Sequence, residues 1–576
     1  MRYSPTMQWA SVFLLLCLSI SPAAGQSAAN RIAASEDAYA DLMDAAGALG
    51  TIDSGLAPTF GGKDRHAWEV VYREKRAQVV SFLAKVPKDG LSPLDARAVA
   101  TMRTSLEGLP ENPEHSENSA QSAAKCKDAP RKDLDYKTLR GALYACFDEI
   151  GNNLQFEGKA YTRLAAMETL GRIEQPERRK ALFLAFIPLW QAINGNNQPD
   201  SPYRRMIAMA AEDAAKHGSP VDAAARAAGV QPAEVEAWLV QILDTWRQVS
   251  GNQAIEPWDF RYVGGEADRL LMSAIPRAAL QPITERYYHD LGADLKSLGI
   301  LYDLDPRPGK APLAYADFAR RGRMVNGVWQ PTVPRVSANY SEGGLGALNE
   351  FVHENGHAVE YAAIRTRPAF MDVDSLFTEA FADVPSWDTY EPAWQRKYLG
   401  REASEAASLR SRYSGVVLDV AWSLFEIRML RNPKADPNAE WTAITSRYLH
   451  IVPHPEWSWW AVRVQLVDSP GYMLNYGLGA VLTADMRQHI REALGPFDTG
   501  NPRWYSWLSE HLLRYGTERE TPELLREFLG RPVSVEAVVG DIRRLGRTVP
   551  ARTSPQTPRD LVDFDNRRSS CRFPRA

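Results

Sequence analysis

Cysteine is scarce in this chain, and no charge of one sign predominates. Four cysteines in 576 residues cannot build a cysteine-lined metal cage or a disulfide-dense scaffold. With 67 basic and 71 acidic side chains the formal net charge is −4. Lys and Arg are scattered rather than striped, so the sequence predicts no nucleic-acid partner. Internal repeats are missing, which excludes a repeat array. Long apolar runs are missing too: the run Val12–Ile20 is too short to cross a bilayer. What remains is 45% hydrophobic and 24% charged, the balance of a globular protein able to bury a large core.

The short apolar run has another reading. Arg2 precedes it and the small residues Ser21-Pro-Ala-Ala-Gly25 follow it. That order is the pattern of a secretory leader. Residues 1–25 are expected to be removed near Gly25/Gln26, leaving an exported, periplasmic or secreted chain without stable membrane insertion. A lipid anchor on Cys17 is the alternative, and Leu16 before it fits such processing poorly. An exported chain can hold a disulfide. Cys126 and Cys146 are near enough in sequence to staple a helix–loop–helix, which leaves Cys571 over.

Length alone suggests several domains, but the pattern favours one large helical body over 26–548. Residues 26–60 are Ala-rich with a weak helical pattern. Residues 108–125 are polar and read as a loop. From Leu134 to Leu280 apolar residues recur at three- and four-residue spacing, as in Leu182, Phe183, Phe186, Leu189, Trp190 and Ile193. The texture changes between Leu301 and Tyr340. Asn326-Gly327 between Met324-Val325 and Val328-Trp329 predicts a hairpin. Val333–Tyr340 looks extended, and Pro331 and Pro334 predict that it lies at a sheet edge. Helices return after Gly344. The expected fold class is therefore mainly α with a small antiparallel β element, and residues 549–576, rich in Pro, Arg and Ser, are expected to form a disordered tail.

His353-Glu354-Asn355-Gly356-His357 carries the chemistry. Helical spacing of four puts both imidazoles on one face, where they can share a metal, with Glu354 beside them as general base. The flexible Gly343-Gly344 and the helically spaced Leu345, Leu348, Phe351 and Val352 lead into it. A catalytic zinc needs a third protein ligand and an open position. The pattern that places a third histidine shortly after the motif is excluded, because Glu360 and Ala363 stand there. A Glu from a second helix is the other class. Glu379, in Thr378-Glu-Ala-Phe-Ala-Asp383, is the best candidate, with Asp383 four residues on to orient a ligand histidine. Glu360 is a rival, awkward because it shares the histidines' helix.

Together, His353–His357 and Phe377–Asp383 resemble the glutamate-ligand zinc peptidases (gluzincins), in particular the thimet oligopeptidase/dipeptidyl carboxypeptidase family and, more loosely, the angiotensin-converting-enzyme family. Asp303-Leu-Asp-Pro-Arg-Pro-Gly-Lys310 and Val336-Ser-Ala-Asn-Tyr340 resemble the former family's segments before its zinc helix. The resemblance implies a two-lobed helical body with a deep central channel, one zinc ion and oligopeptide substrates. Gly471-Tyr472-Met-Leu-Asn-Tyr476-Gly477 resembles the families' tyrosine-bearing helix. Tyr476 is then the first choice to stabilise an oxyanion, and Tyr472 the second, as a substrate contact. The families carry a histidine just upstream; here Val462–Pro470 has none, and Gln465 and Asp468 are the nearest polar residues. That departure motivates the alternative of a catalytically weak or inactive peptide-binding protein. For an exopeptidase, Arg463 and Arg335 are the candidate cations for a terminal carboxylate.

Overall fold

Alanine is the best helix former, and the Ala-rich start of the chain is one long helix, α1 (Pro22–Asp53). The architecture comes from a computed structural model, which describes residues 22–53, 59–113, 124–307, 310 and 314–548. The expected tail over 549–576, Cys571 and all of the expected leader before Pro22 lie outside the described residues, as do 114–123 of the expected loop. No helix among the described residues is long and apolar enough to cross a membrane.

Two further helices pack on α1: α2 (Arg65–Leu83), capped by Asp64, and α3 (Pro93–Gly108), capped by Ser92 with Pro93 in its first turn. Leu42, Ala45, Tyr72, Val79 and Met102 are buried between them, and Ala369 and Phe370 join the same cluster. The main core is separate and runs from Cys126 to Leu545. Near its start, α4 (Tyr136–Cys146) is tied to the turn Cys126–Asp128 by the Cys126–Cys146 disulfide, as the spacing suggested. Helices α5 (Arg163–Leu170), α6 (Pro257–Gly264) and α7 (Glu266–Leu271) follow.

The expected β element is present, with a different layout. Strands β1 (Leu301–Asp303), β2 (Tyr315–Arg320) and β5 (Val333–Ser337) form a three-stranded sheet. In it β5 pairs antiparallel with β2 and parallel with β1. The Asn326-Gly327 turn joins the hairpin β3 (Arg323–Val325) and β4 (Val328–Gln330), both turn residues having positive φ. The expectation of an edge position for Val333–Tyr340 is corrected: β5 is the central strand. Ala338 N–H donates to Asp303 O on the β1 side, and the two-residue period puts the Pro334 nitrogen on that same side. Pairing with β1 starts only at Arg335, so the missing donor falls beyond the end of β1. The edges are β1 and β2, and α1 covers β2 near Phe318 and Ala319, where a side chain on Gly47 would strike carbonyl oxygens at 2.5 and 2.8 Å.

The core helices that position the site are α8 (Leu345–Ala363), α9 (Ser375–Ser386), α10 (Glu405–Arg431), α11 (Met473–Leu494) and α12 (Glu536–Thr548). Helix α8 starts at Gly344, φ +107°, and its first amides are capped from α7: Asp268 Oδ1 accepts from Leu345 N at 2.6 Å and Gly346 N at 3.2 Å. Pro368 blocks continuation of the chain as helix, and Asp374 caps α9 through Leu376 N and Phe377 N. Packing α8 against α9 needs a side chain of one hydrogen at Gly356, where a Cβ would lie 2.7 Å from Ala382 Cα.

Candidate metal centre

The helical spacing and the Gly356 contact bring His353 and His357 of α8 against Glu379 of α9. Their ligand atoms all lie within 4.8 Å of one another. His353 Nε2 and His357 Nε2 are 3.1 Å apart, and Glu379 Oε2 is 3.5 Å from His353 Nε2. Four ligands held tetrahedrally at 2.0–2.1 Å are separated by about 3.3 Å, so both spacings fit one small cation.

The outer nitrogens fix the imidazole tautomers. His353 Nδ1 is 2.8 Å from Asp383 Oδ1; an ionised carboxylate only accepts, so Nδ1 donates and the Nε2 lone pair faces the ligand cluster. His357 Nδ1 is 2.8 Å from Thr378 Oγ1, whose hydroxyl donates to Glu360 Oε2 at 2.6 Å. The threonine has committed its proton, so it accepts from His357, and this Nε2 is also free to ligate. Sequence reasoning placed Asp383 but missed Thr378 and the place of Glu360. Glu360 stands behind His357, one hydroxyl away from it, as an orienting group.

In the metal-free site burial opposes charge on His353, but Asp383, Glu379 and Glu354 outweigh it and raise the imidazole well above its usual value, so a cation must displace a proton to bind there. Burial opposes charge on Glu379, yet His353, His357 and Tyr472 outweigh it and hold its carboxyl down at about 2. Burial, helped by the charge on His353, pushes His357 down to about 4. Glu354 is buried, and burial raises its carboxyl to about 8. Its Oε2 has no hydrogen-bond partner. An ionised carboxylate, converging imidazole lone pairs and an orphaned carboxylate oxygen beside them are the surroundings of a cation with a hydrated open position.

These groups line a cleft of about 630 Å³. Its walls include Ala314, Tyr315 and Ala316 at the start of β2, Asp419 of α10, and Asn475 and Tyr476 of α11. Helix α11 is lashed to α9: Thr483 Oγ1 donates to Ala380 O at 2.8 Å, and Arg487 donates to Val384 O and, at 2.5 Å, to Asp388 Oδ1. Glu426 of α10 accepts from Met473 N, 3.0 Å away, at the head of α11. The Tyr472 hydroxyl reaches Glu379 Oε1 at 3.5 Å. Gln465 Nε2 donates to the Tyr476 oxygen at 3.1 Å, which leaves the Tyr476 proton free to donate. Gln465 thus touches the tyrosine, whereas Asp468 makes no hydrogen bond to it. Arg335 does not face this site: it is buried and paired with Asp317. Arg463 pairs with Asp419 on the cleft wall.

Fold and site together define a mainly helical chain with a two-histidine, one-glutamate ligand set on two packed helices. No protein-family model matches the chain, and no curated protein matches it. Solved structures do. A carboxypeptidase from Deinococcus radiodurans is 16% identical, with 91% of this chain and 99% of that chain covered and a TM-score of 0.55. PZ peptidase A, solved with an inhibitor, is 15% identical over 89% of this chain and 97% of its own, TM-score 0.55. A putative oligoendopeptidase F from Bacillus anthracis is 16% identical over 89% and 96%, TM-score 0.53. At such identities the likeness shows the fold alone.

Proposed function

We propose that the chain is a zinc-dependent peptidase that hydrolyses peptide bonds in oligopeptides, with Glu354 as general base. The observation that carries this reading is the unpartnered Glu354 Oε2 beside the convergent Nε2 atoms of His353 and His357. Peptidases among the chains of like fold support peptides as the substrate class. A zinc ion held by His353, His357 and Glu379 supplies Lewis acidity and a water acidic near neutrality, its pKa lowered to about 7.

The protein's own groups do the rest. Glu354 accepts the proton of the attacking water and returns it to the leaving amine nitrogen. Asp383 and Thr378 keep both imidazoles oriented. Tyr476, its oxygen already accepting from Gln465, donates its hydroxyl to the oxygen on which charge develops; one such donor is commonly worth about 2.7–4 kcal/mol of barrier. Tyr472 steadies Glu379. The half-buried start of β2, which lines the cleft at Ala314–Ala316, offers backbone groups to an extended peptide. Export is part of the proposal, and the Cys126–Cys146 bridge supports an oxidising destination.

Glu354→Gln tests the reading. Peptide cleavage is expected to fall by about 10²–10⁴-fold with zinc content unchanged. Full residual activity refutes the role of Glu354. A zinc-loaded wild-type chain that binds peptides and cleaves none of a broad set replaces this reading with that of a peptide-binding protein.

A further inference from the structure

A cavity of about 250 Å³ lies apart from the metal cleft and shares none of its lining residues. Its floor is apolar. Trp246 comes from the helix Val235–Val249, Phe260 and Val263 from α6, and Leu449 from the helix Pro437–Leu449. Backbone bonds fix its rim. Ile255 N donates to His450 O and Val452 N to Ile255 O, each at 2.9 Å, and His450 takes a left-handed φ of +56° where its helix ends. Gly264 of α6 and Ser414 of α10 form the inner wall. They also line a neighbouring hollow that shares Arg261 and Gly346 with the metal cleft. A Cβ on Gly264 would collide with Ser414 Oγ, so α6 and α10 leave no passage towards the cleft at that contact.

The cavity holds a charge that the protein does not offset. Among the described residues that line it, Arg410 of α10 is the one arginine or lysine, and none is acidic. The three other arginines of α10 are paired: Arg412 with Glu391, Arg428 with Glu236 and Glu440, and Arg431 with Glu236. Arg410, among the described residues, has no ion pair and no side-chain hydrogen bond. Ser250, on the same wall, has a buried hydroxyl without a partner. Donors shut away from acceptors are costly, so the hollow lacks an acceptor.

Charge, shape and size define what would fill it. A carboxylate matches the planar guanidinium fork. One arginine offsets one negative charge, and a second on the ligand would be left unpaired against an apolar floor. The tryptophan, phenylalanine and aliphatic walls suit an apolar body. An apolar cavity of about 150 Å³ takes a benzene ring, so this one has room for a ring with a short side chain. We propose that this cavity is a binding site for a small organic monocarboxylate with an aryl or short alkyl tail, its carboxylate held by Arg410 with Ser250 beside it. The site is separate from the metal centre and does not depend on the peptidase reading.

The probe is 3-phenylpropanoate, with 3-phenylpropanamide as its uncharged counterpart of equal size. Binding of each to the full chain is read by calorimetry, with zinc loaded and after a chelator, for wild type, Arg410→Met and Arg410→Lys. Wild type is expected to bind the acid about 10- to 100-fold more tightly than the amide, the range of one charge-assisted hydrogen-bonded pair, and equally with and without zinc. Arg410→Met, of similar bulk and no charge, is expected to remove that preference and leave the amide unchanged, which also shows that the cavity is still formed. Arg410→Lys is expected to keep part of the preference. Equal affinities of wild type for acid and amide, or an acid preference that survives Arg410→Met, overturn the site. So does binding of the acid that disappears with the zinc, because it places the probe in the metal cleft.

Discussion

The ranking of the groups behind the two histidines can be predicted from their chemistry. His353 donates to Asp383 and His357 to Thr378, each at 2.8 Å, so distance does not separate them. Charge does. Asp383 is a carboxylate that also accepts from Ser386 Oγ at 2.9 Å; it orients His353, raises its basicity and adds a second negative charge beside Glu379. Thr378 is neutral and donates a hydrogen bond to Glu360, whose carboxyl burial pushes up to about 8, so little negative charge lies behind His357 near neutrality. Losing an outer partner of a metal ligand costs about 10- to 100-fold in metal affinity, or about 1.4–2.7 kcal/mol. Asp383→Ala is expected near the upper end of that range and Thr378→Val near the lower end. Asp383→Asn, which keeps an acceptor but no charge, falls between them. Zinc affinity is read by competition with a chromogenic chelator at one pH, and denaturant unfolding of the metal-free proteins checks that each variant folds. Equal losses for Asp383→Ala and Thr378→Val, or a larger loss for Thr378→Val, would refute the argument from charge. Zinc affinities unchanged in all three would refute the ligand assignment of the histidines.

Two further outcomes follow from packing and charge. In Gly356→Ala the new methyl meets the backbone of Ala382, 2.7 Å from Cα and 2.9 Å from O. Helices α8 and α9 must part, at about 1–3 kcal/mol, and Glu379 moves with α9; a thermal midpoint and zinc affinity both equal to wild type would contradict this contact. Glu391 is the acid-sensitive group. Burial raises its carboxyl, but Arg412 and Arg544, 3.0 and 3.2 Å away, hold it well below the usual carboxylate range. The folded value thus lies below the unfolded value of about 4.3, so its contribution is complete above that pH and is lost as the pH falls towards the folded value. Glu391→Gln is expected to destabilise the chain by about 3–5 kcal/mol at neutral pH, because it leaves a buried guanidinium without its partner. It should also flatten the loss of stability between about pH 5 and pH 2; an unchanged acid limb in denaturant titrations would show that other carboxylates set it.

Local signals were legible in the residues and non-local ones were not. The Asn326-Gly327 hairpin, the metal helix and the Cys126–Cys146 staple each depend on residues close in the chain, and the structure has all three. Pro334 was a local signal that misled: proline forbids one donor, and whether that donor was needed depends on where β1 starts relative to β5. The small hairpin Leu154–Phe156/Lys159–Tyr161 was hidden within a helical stretch, because strands of three residues are too short to show a period.

The sequence by itself determined the metal helix, since four-residue spacing on an α-helix puts His353 and His357 on one face whatever surrounds them. It also marked Glu379 and Asp383 as a second pair on one face. Only the tertiary structure decided that α9 would lie close enough to use them, because that depends on Gly356 meeting Ala382 across two helices. It alone placed Thr378 between His357 and Glu360. It alone turned Arg335 away to Asp317 and brought Arg163 to the carbonyl of Val462, 299 residues along the chain. Charge and hydrogen bonding act through space and not along the chain, so no spacing in the sequence could show where these arginines find their partners.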